Sequence, residues 1–279
     1  MTSLLTQSPT ETQPYIFNKN VFLLGCPVAN LTLEDTVAEV NQIIQDRQPH
    51  QHCVINAGKV VLMHRNPALG EIVKSCSLIN ADGQSVVWAL KLLGRPVPER
   101  VTGIDLMERL FVEADQRRYR VYFLGAMQWV LDAVIKHVQT KFPGLVVAGS
   151  NDGYFLENDN SRIVTDIAAS NADILFVAMG SPKKEFWMAE NLAKLNVPFC
   201  MGVGGSFDVI AGRARRAPRW IQNAGLEWFY RYIQEPIRLW RRYWVDNFIF
   251  VYLVLLDYLK IKTDIKRTSS EDLSKKEIT

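Results

Sequence analysis

Most of the usual catalytic signatures are missing from this chain. Its 279 residues include only four cysteines and four histidines. Cys26, Cys53, Cys76 and Cys200 are scattered with no C-x-x-C pair, and read as buried, reduced thiols of a cytosolic protein. There is no H-E-x-x-H, and His50, His52, His64 and His137 form no ligand set. No G-x-S-x-G elbow occurs. D-x-D is also absent, its nearest approach being Glu157-Asn158-Asp159, so a divalent metal held by paired acids has little support. The longest apolar run near the end, Phe248–Leu256, has nine residues between Asp246-Asn247 and Asp257. A membrane span needs roughly 20, so this run can lie on a bilayer or pack on protein but cannot cross alone. The opening MTSLLTQSPTETQPY lacks the basic and apolar regions of a signal peptide, and 1–19 reads as a disordered lead.

What is present suits a globular α/β protein: 48% hydrophobic and 22% charged residues, enough for a sizeable core. Net charge is only +3, but it is uneven. Between Arg213 and Arg242 stand eight arginines and no lysine, against Glu227 and Glu235, a formal +6 on a body of about −3. A local basic block of this kind points to one anionic partner: membrane, diphosphate or nucleic acid. It is interleaved with Trp220, Trp228, Tyr230, Tyr232, Trp240, Tyr243 and Trp244, a mixture that suits a membrane interface or a phosphate-rich groove.

Along the chain, strand patterns alternate with helical ones. Val21–Leu24, His52–Ile55, Ser77–Asn80, RVYFLG, LVVAG, DILFVAMG and PFCMGVGG read as strands, separated by helices. This alternation predicts right-handed crossovers and a parallel sheet, a Rossmann-like core with helices on both faces. The expected organisation is a lead (1–19), an α/β core (20–212), a helical Arg- and aromatic-rich appendage (213–262) and a loose polar tail (263–279).

In open parallel sheets, ligands sit beyond the carboxyl ends of the strands. Asn56, Asp82, Gly125, Gly180-Ser181 and Gly202–Gly205 fall there. Each has a plain alternative: Asp82-Gly83 as a turn, Asn56 as a helix cap, the glycines as tight strand–helix packing. GVGGSFD is neither a Walker A motif nor a full G-x-G-x-x-G, because Phe207 takes the last place.

Four ordered blocks go further. INADGQSVVWALKLLGRPVPERVTGIDL, DILFVAMGSPKKEFW, GVGGSFDVIAGRARRAPRW and GLEWFYRYIQEPIRLWRR together resemble the WecG/TagA/CpsF family of bacterial glycosyltransferases, from about Asn20 to Tyr243. The resemblance implies an enzyme on the inner face of the plasma membrane, peripheral and cytoplasmic. It implies transfer of an N-acetylmannosamine-type sugar from a UDP-sugar to N-acetylglucosamine on a polyprenyl diphosphate, with inversion, no metal and no cofactor. Asp82 falls on the family's catalytic base, while Asn56 and Arg100 fall on site positions. Lys184 replaces the expected Gln, and Val54 the expected Thr. Gly125, Gly202, Gly204 and Gly205 complete the expected substrate contacts, and Arg215, Arg216, Arg219, Arg231, Arg238, Arg241 and Arg242 the phosphate and lipid contacts. Self-association stays open. The rival readings are a nicotinamide-dependent oxidoreductase, which lacks its glycine fingerprint, and a non-catalytic membrane or nucleic-acid binding protein.

Overall fold

The structure, a computed structural model, describes residues 20–234, 236, 237 and 244–276, with side chains apart from those at 223, 231 and 262–276. The expected lead at 1–19 and Arg238, Arg241 and Arg242 lie outside the described residues, as does the side chain of Arg231.

A hairpin opens the described chain: β1 (Asn20–Leu23) pairs antiparallel with β2 (Cys26–Ala29) in a sheet of its own. The sequence reading had only one strand here. Leu24 and Gly25 both take left-handed backbone (φ 50° and 75°), as a two-residue hairpin turn requires. Leu is not a turn residue, and that is what hides the reversal in the sequence.

Then come α1 (Leu33–Asp46), β3 (His50–Ile55), α2 (Ala57–Arg65), α3 (Pro67–Lys74), β4 (Leu78–Ala81), α4 (Gln84–Leu92) and α5 (Gly103–Arg117). β5 (Arg120–Gly125), α6 (Gln128–Lys141), β6 (Val146–Asn151), α7 (Asn160–Ala169), β7 (Ile174–Ala178), α8 (Lys183–Leu195) and β8 (Phe199–Gly202) follow. Local signals set many of these boundaries. Thr32 caps α1 with Asp35 returning the bond, and Thr102 caps α5 by accepting from the Asp105 N–H at 3.1 Å.

The six remaining strands form one parallel sheet in the order β4-β3-β8-β7-β5-β6. Strands β4, β7 and β8 are buried along their whole length, as expected for a sheet covered on both faces. Side-chain alternation splits the core. Phe123, Phe176 and Met201 pack with α1, α5 and α6, whereas Leu124, Leu175, Val177 and Cys200 pack with α7 and α8. At the β3–β4 edge, Cys53, Ile55, Ile79 and Ala81 pack with α2, α3 and α4. Here a buried polar chain crosses the strands: His52 Nε2 lies 2.9 Å from Asn80 Oδ1, and Asn80 Nδ2 donates to Thr36 Oγ1 at 3.1 Å.

After β8 the described residues include the short helices α9 (Ser206–Ile210), α10 (Arg219–Asn223) and α11 (Glu227–Gln234). The last helix, Asp246–Lys276, lays Phe250 and Val254 into the cluster around α2. Its backbone is helical to Lys276. Among the described residues, no helix is long and apolar enough to cross a membrane.

Candidate active site

A cleft of about 1410 Å³ opens over the carboxyl ends of the parallel strands. The sheet order explains its position. Strands β4, β3, β8 and β7 lie side by side, so Asp82, Asn56, Gly202–Gly205 and Gly180-Ser181, far apart in sequence, line one cavity.

Asp82 follows β4 directly. Its N–H donates to the Ile55 carbonyl at 2.9 Å, and Val101 N–H donates to the Ala81 carbonyl at 3.0 Å, so backbone bonds on both sides hold the turn that carries the carboxylate. Gly83 follows because a Cβ there would come within 3.0 Å of Asn56 Cβ. Asn56 lines the cleft, but its Oδ1 accepts the Lys59 N–H at 3.0 Å, so it is also the cap of α2. The cap reading of the sequence holds, and the same residue faces the cleft.

The cleft floor holds a charge cluster that the sequence reading saw only in part. Glu185 is fully buried, and its Oε1 takes Lys59 Nζ at 2.5 Å and Lys184 Nζ at 2.6 Å. Ser181 Oγ donates to Oε2 at 2.8 Å. Burial pushes the Glu185 carboxyl up, but the two ammonium groups overcome this and hold it at about 2. Lys59 also donates to Cys53 Sγ at 3.3 Å. Burial draws Lys184 below the usual lysine range, aided by the neighbouring Lys59. The Cys53 thiol that Lys59 touches is itself lowered to about 6, chiefly by its hydrogen bond with Cys76, so two lysines meet a carboxylate and an acidic thiol here, and Lys59 and Lys184 both line the cleft. Lys59 was not among the expected site residues. The only hint of it in the sequence is a lysine opening the otherwise apolar run VVLM on a helix entering the core.

Gly202 takes its meaning from Lys184. A Cβ at 202 would lie 2.9 Å from Lys184 Cε and 3.0 Å from Cδ, so the glycine makes room for the lysine stem. Gly204 and Gly205 line the cleft. Gly125 is not among the lining residues, although Ala126 beside it is. A Cβ at 125 would sit 2.5 Å from the Ala178 carbonyl oxygen, so this glycine answers to the close passage of β5 along β7.

Arg100 lines the cleft and pairs with Glu227 at 3.3 Å. Arg216 points at the same carboxylate (3.7 Å) and lies 2.6 Å from Asp105 Oδ1, close enough for an ion pair although its Nε and Nη2 lack well-directed hydrogen bonds. Glu227, which the sequence reading treated only as a charge offset, therefore ties α11 to the core through two arginines. Arg215 and Arg219 are exposed, beside the 71%-exposed Trp220. Among the described residues, no three acidic, His or Cys side chains gather to hold a cation.

The family model for the WecG/TagA/CpsF glycosyl transferases matches residues 21–264. An N-acetylglucosaminyldiphosphoundecaprenol N-acetyl-beta-D-mannosaminyltransferase of Bacillus spizizenii is 39% identical over 178 residues, 64% of this chain and 68% of the relative. A protein of the same description from Bacillus subtilis is 33% identical over 172 residues, 62% of this chain and 66% of the relative.

Proposed function

The chain belongs to the WecG/TagA/CpsF glycosyl transferase family and is a glycosyltransferase, and from that premise we propose that it moves an N-acetylmannosamine-type sugar from a UDP-sugar to N-acetylglucosamine on a polyprenyl diphosphate, in cell-surface polysaccharide synthesis. The observation that carries this reading is the convergence of Asp82, Asn56, Arg100, Lys184 and Gly202 on one cleft at the strand ends.

In the proposed step, an Asp82 carboxylate oxygen accepts the proton of the acceptor hydroxyl. That hydroxyl oxygen attacks the anomeric carbon from the face opposite the nucleotide. The bond from carbon to the diphosphate oxygen breaks, and UDP leaves with the electron pair, giving inversion. A positioned base contributes roughly 10²–10⁴ in rate, about 3–5 kcal/mol. The negative charge growing on the diphosphate meets fixed cations, Lys184 with Lys59 behind it and Arg100, in a partly desolvated floor where such contacts are strong. These cations take the role a divalent ion would otherwise fill, so the transfer is read as metal-independent. Arg215 and Arg219, exposed beside Trp220, belong to a surface that rests on an anionic leaflet, where each cation contributes about 1 kcal/mol.

The test is transfer by Asp82→Asn and Asp82→Ala, with folding followed by circular dichroism. A loss of at least 100-fold in kcat is expected. Transfer close to that of the unaltered chain would remove Asp82 as base. Turnover that EDTA abolishes and a divalent cation restores would overturn metal independence. Retention at the anomeric carbon, read by NMR of the product, would overturn the single displacement.

A further inference from the structure

The same cleft has a second chemistry at its rim. Trp88 and Leu92 on α4 line it and are 54% and 50% exposed; Val251 and Leu255 on the last helix line it and are 53% and 47% exposed. The buried lysines mark the floor, and these half-open apolar side chains mark the mouth. On the last helix the apolar face does not stop at the cleft. Phe248, Val251, Tyr252, Leu255 and Leu259 are all exposed, at the three- and four-residue spacing that places them on one stripe about 17 Å long. The opposite face, with Phe250 and Val254, is already used against α2.

A cavity that is cationic at its base and apolar at its mouth, and whose apolar wall runs on outward, is complementary to an amphipathic diphosphate. Contact with a bilayer alone would explain the outer stripe, but not its entry into the cleft at Val251 and Leu255. We propose that Trp88, Leu92, Val251 and Leu255 form a subsite for the first isoprene units of the lipid-linked acceptor, so that the enzyme holds the tail as well as the sugar diphosphate. The proposal rests on the glycosyltransferase reading above and adds a recognition element to it. The chemistry is simple: each apolar group moved from water onto apolar wall stabilises the complex, about 0.8 kcal/mol per methylene, or close to fourfold in affinity.

The test uses the full chain in buffer without vesicles or detergent, and two soluble acceptors: N-acetylglucosamine diphosphate esterified with a farnesyl chain, below its micelle concentration, or with a methyl group. The ratio of the two KM values is the readout. A KM at least tenfold lower for the farnesyl acceptor is expected. Leu255→Gln and Trp88→Gln, each checked for an unchanged melting profile, should collapse that ratio to threefold or less. Tyr252→Gln, exposed on the same helix but not lining the cleft, should preserve it. Equal KM values for the two acceptors with the unaltered chain, or a ratio that survives both cleft substitutions, would overturn the subsite. Substitutions that reduce only vesicle-bound turnover would assign the stripe to bilayer contact and overturn it too. Absence of transfer to both acceptors would instead strike the glycosyltransfer reading itself, and the subsite with it.

Discussion

Replacing Glu185 by Gln removes the carboxylate that bridges two buried lysines while keeping the side chain's shape. In the native protein Glu185 has no exposed surface, and the Lys59 and Lys184 ammonium groups sit at 2.5 and 2.6 Å. Its carboxyl is held at about 2 against an ordinary value of 4.5. That difference corresponds to roughly 3 kcal/mol. An independent guide agrees: breaking a buried ion pair by deleting one partner costs about 3–5 kcal/mol, because the other charge stays behind unpaired. For a domain of this size, about 3 kcal/mol lowers Tm by roughly 6–12 °C. The contribution has a definite pH window. Because the folded value is depressed, the stabilisation is fully present above about pH 4.5 and fades as pH falls toward 2. Thermal unfolding of Glu185→Gln at pH 7, monitored by circular dichroism, checks the figure. The double variant with Lys59→Met should be less damaged than the sum of the two single variants by about 1–3 kcal/mol, because it removes both partners of one buried ion pair. A Tm drop under about 3 °C for Glu185→Gln, or strict additivity in the double variant, would refute the claim that the three side chains act as one buried cluster.

Two further outcomes follow from the same geometry. His52 is fully buried; burial holds its imidazole at about 4, only partly offset by the Asn80 hydrogen bond, against 6.5 when exposed. The unfolded chain therefore takes up a proton that the folded chain refuses, and stability should fall by about 3 kcal/mol as pH drops from 6.5 to 4. His52→Gln should flatten that part of a urea-unfolding series, and an unchanged slope would show that another group titrates there. Gly202→Ala places a methyl 2.9 Å from Lys184 Cε, near the flexible end of that side chain, so the lysine should shift rather than the strand. The expected result is a Tm within about 3 °C of native with a weakened affinity for UDP by calorimetry; unaltered UDP binding would separate Lys184 from the diphosphate.

Much of this architecture was legible in local patterns. Alternating strands and helices announce the parallel sheet, Thr32 followed by Glu34-Asp35 announces the start of α1, and several polar residues fall at strand ends, where the cleft opens. Those signals need only neighbouring residues, because helix caps and side-chain periodicities act over a few positions. The hairpin at Leu24-Gly25 escaped because its first turn residue carries no turn preference. The partnership of Lys59 with Glu185 spans 126 positions, and that of Arg100 with Glu227 spans 127. Gly202 and Gly125 look alike in sequence, yet one accommodates a lysine stem and the other a carbonyl of the adjacent strand.

The sequence by itself therefore determined most of the elements, their order along the chain and which polar residues stand at the carboxyl ends of the parallel strands. Only the tertiary structure decided the lateral order β4-β3-β8-β7-β5-β6, which neighbours meet at the cleft floor, and which charges cancel there. The reason is physical. Backbone pattern is written residue by residue, whereas the side-by-side placement of parallel strands depends on how whole helices pack across them. A buried charge must find its partner wherever that packing brings one within reach.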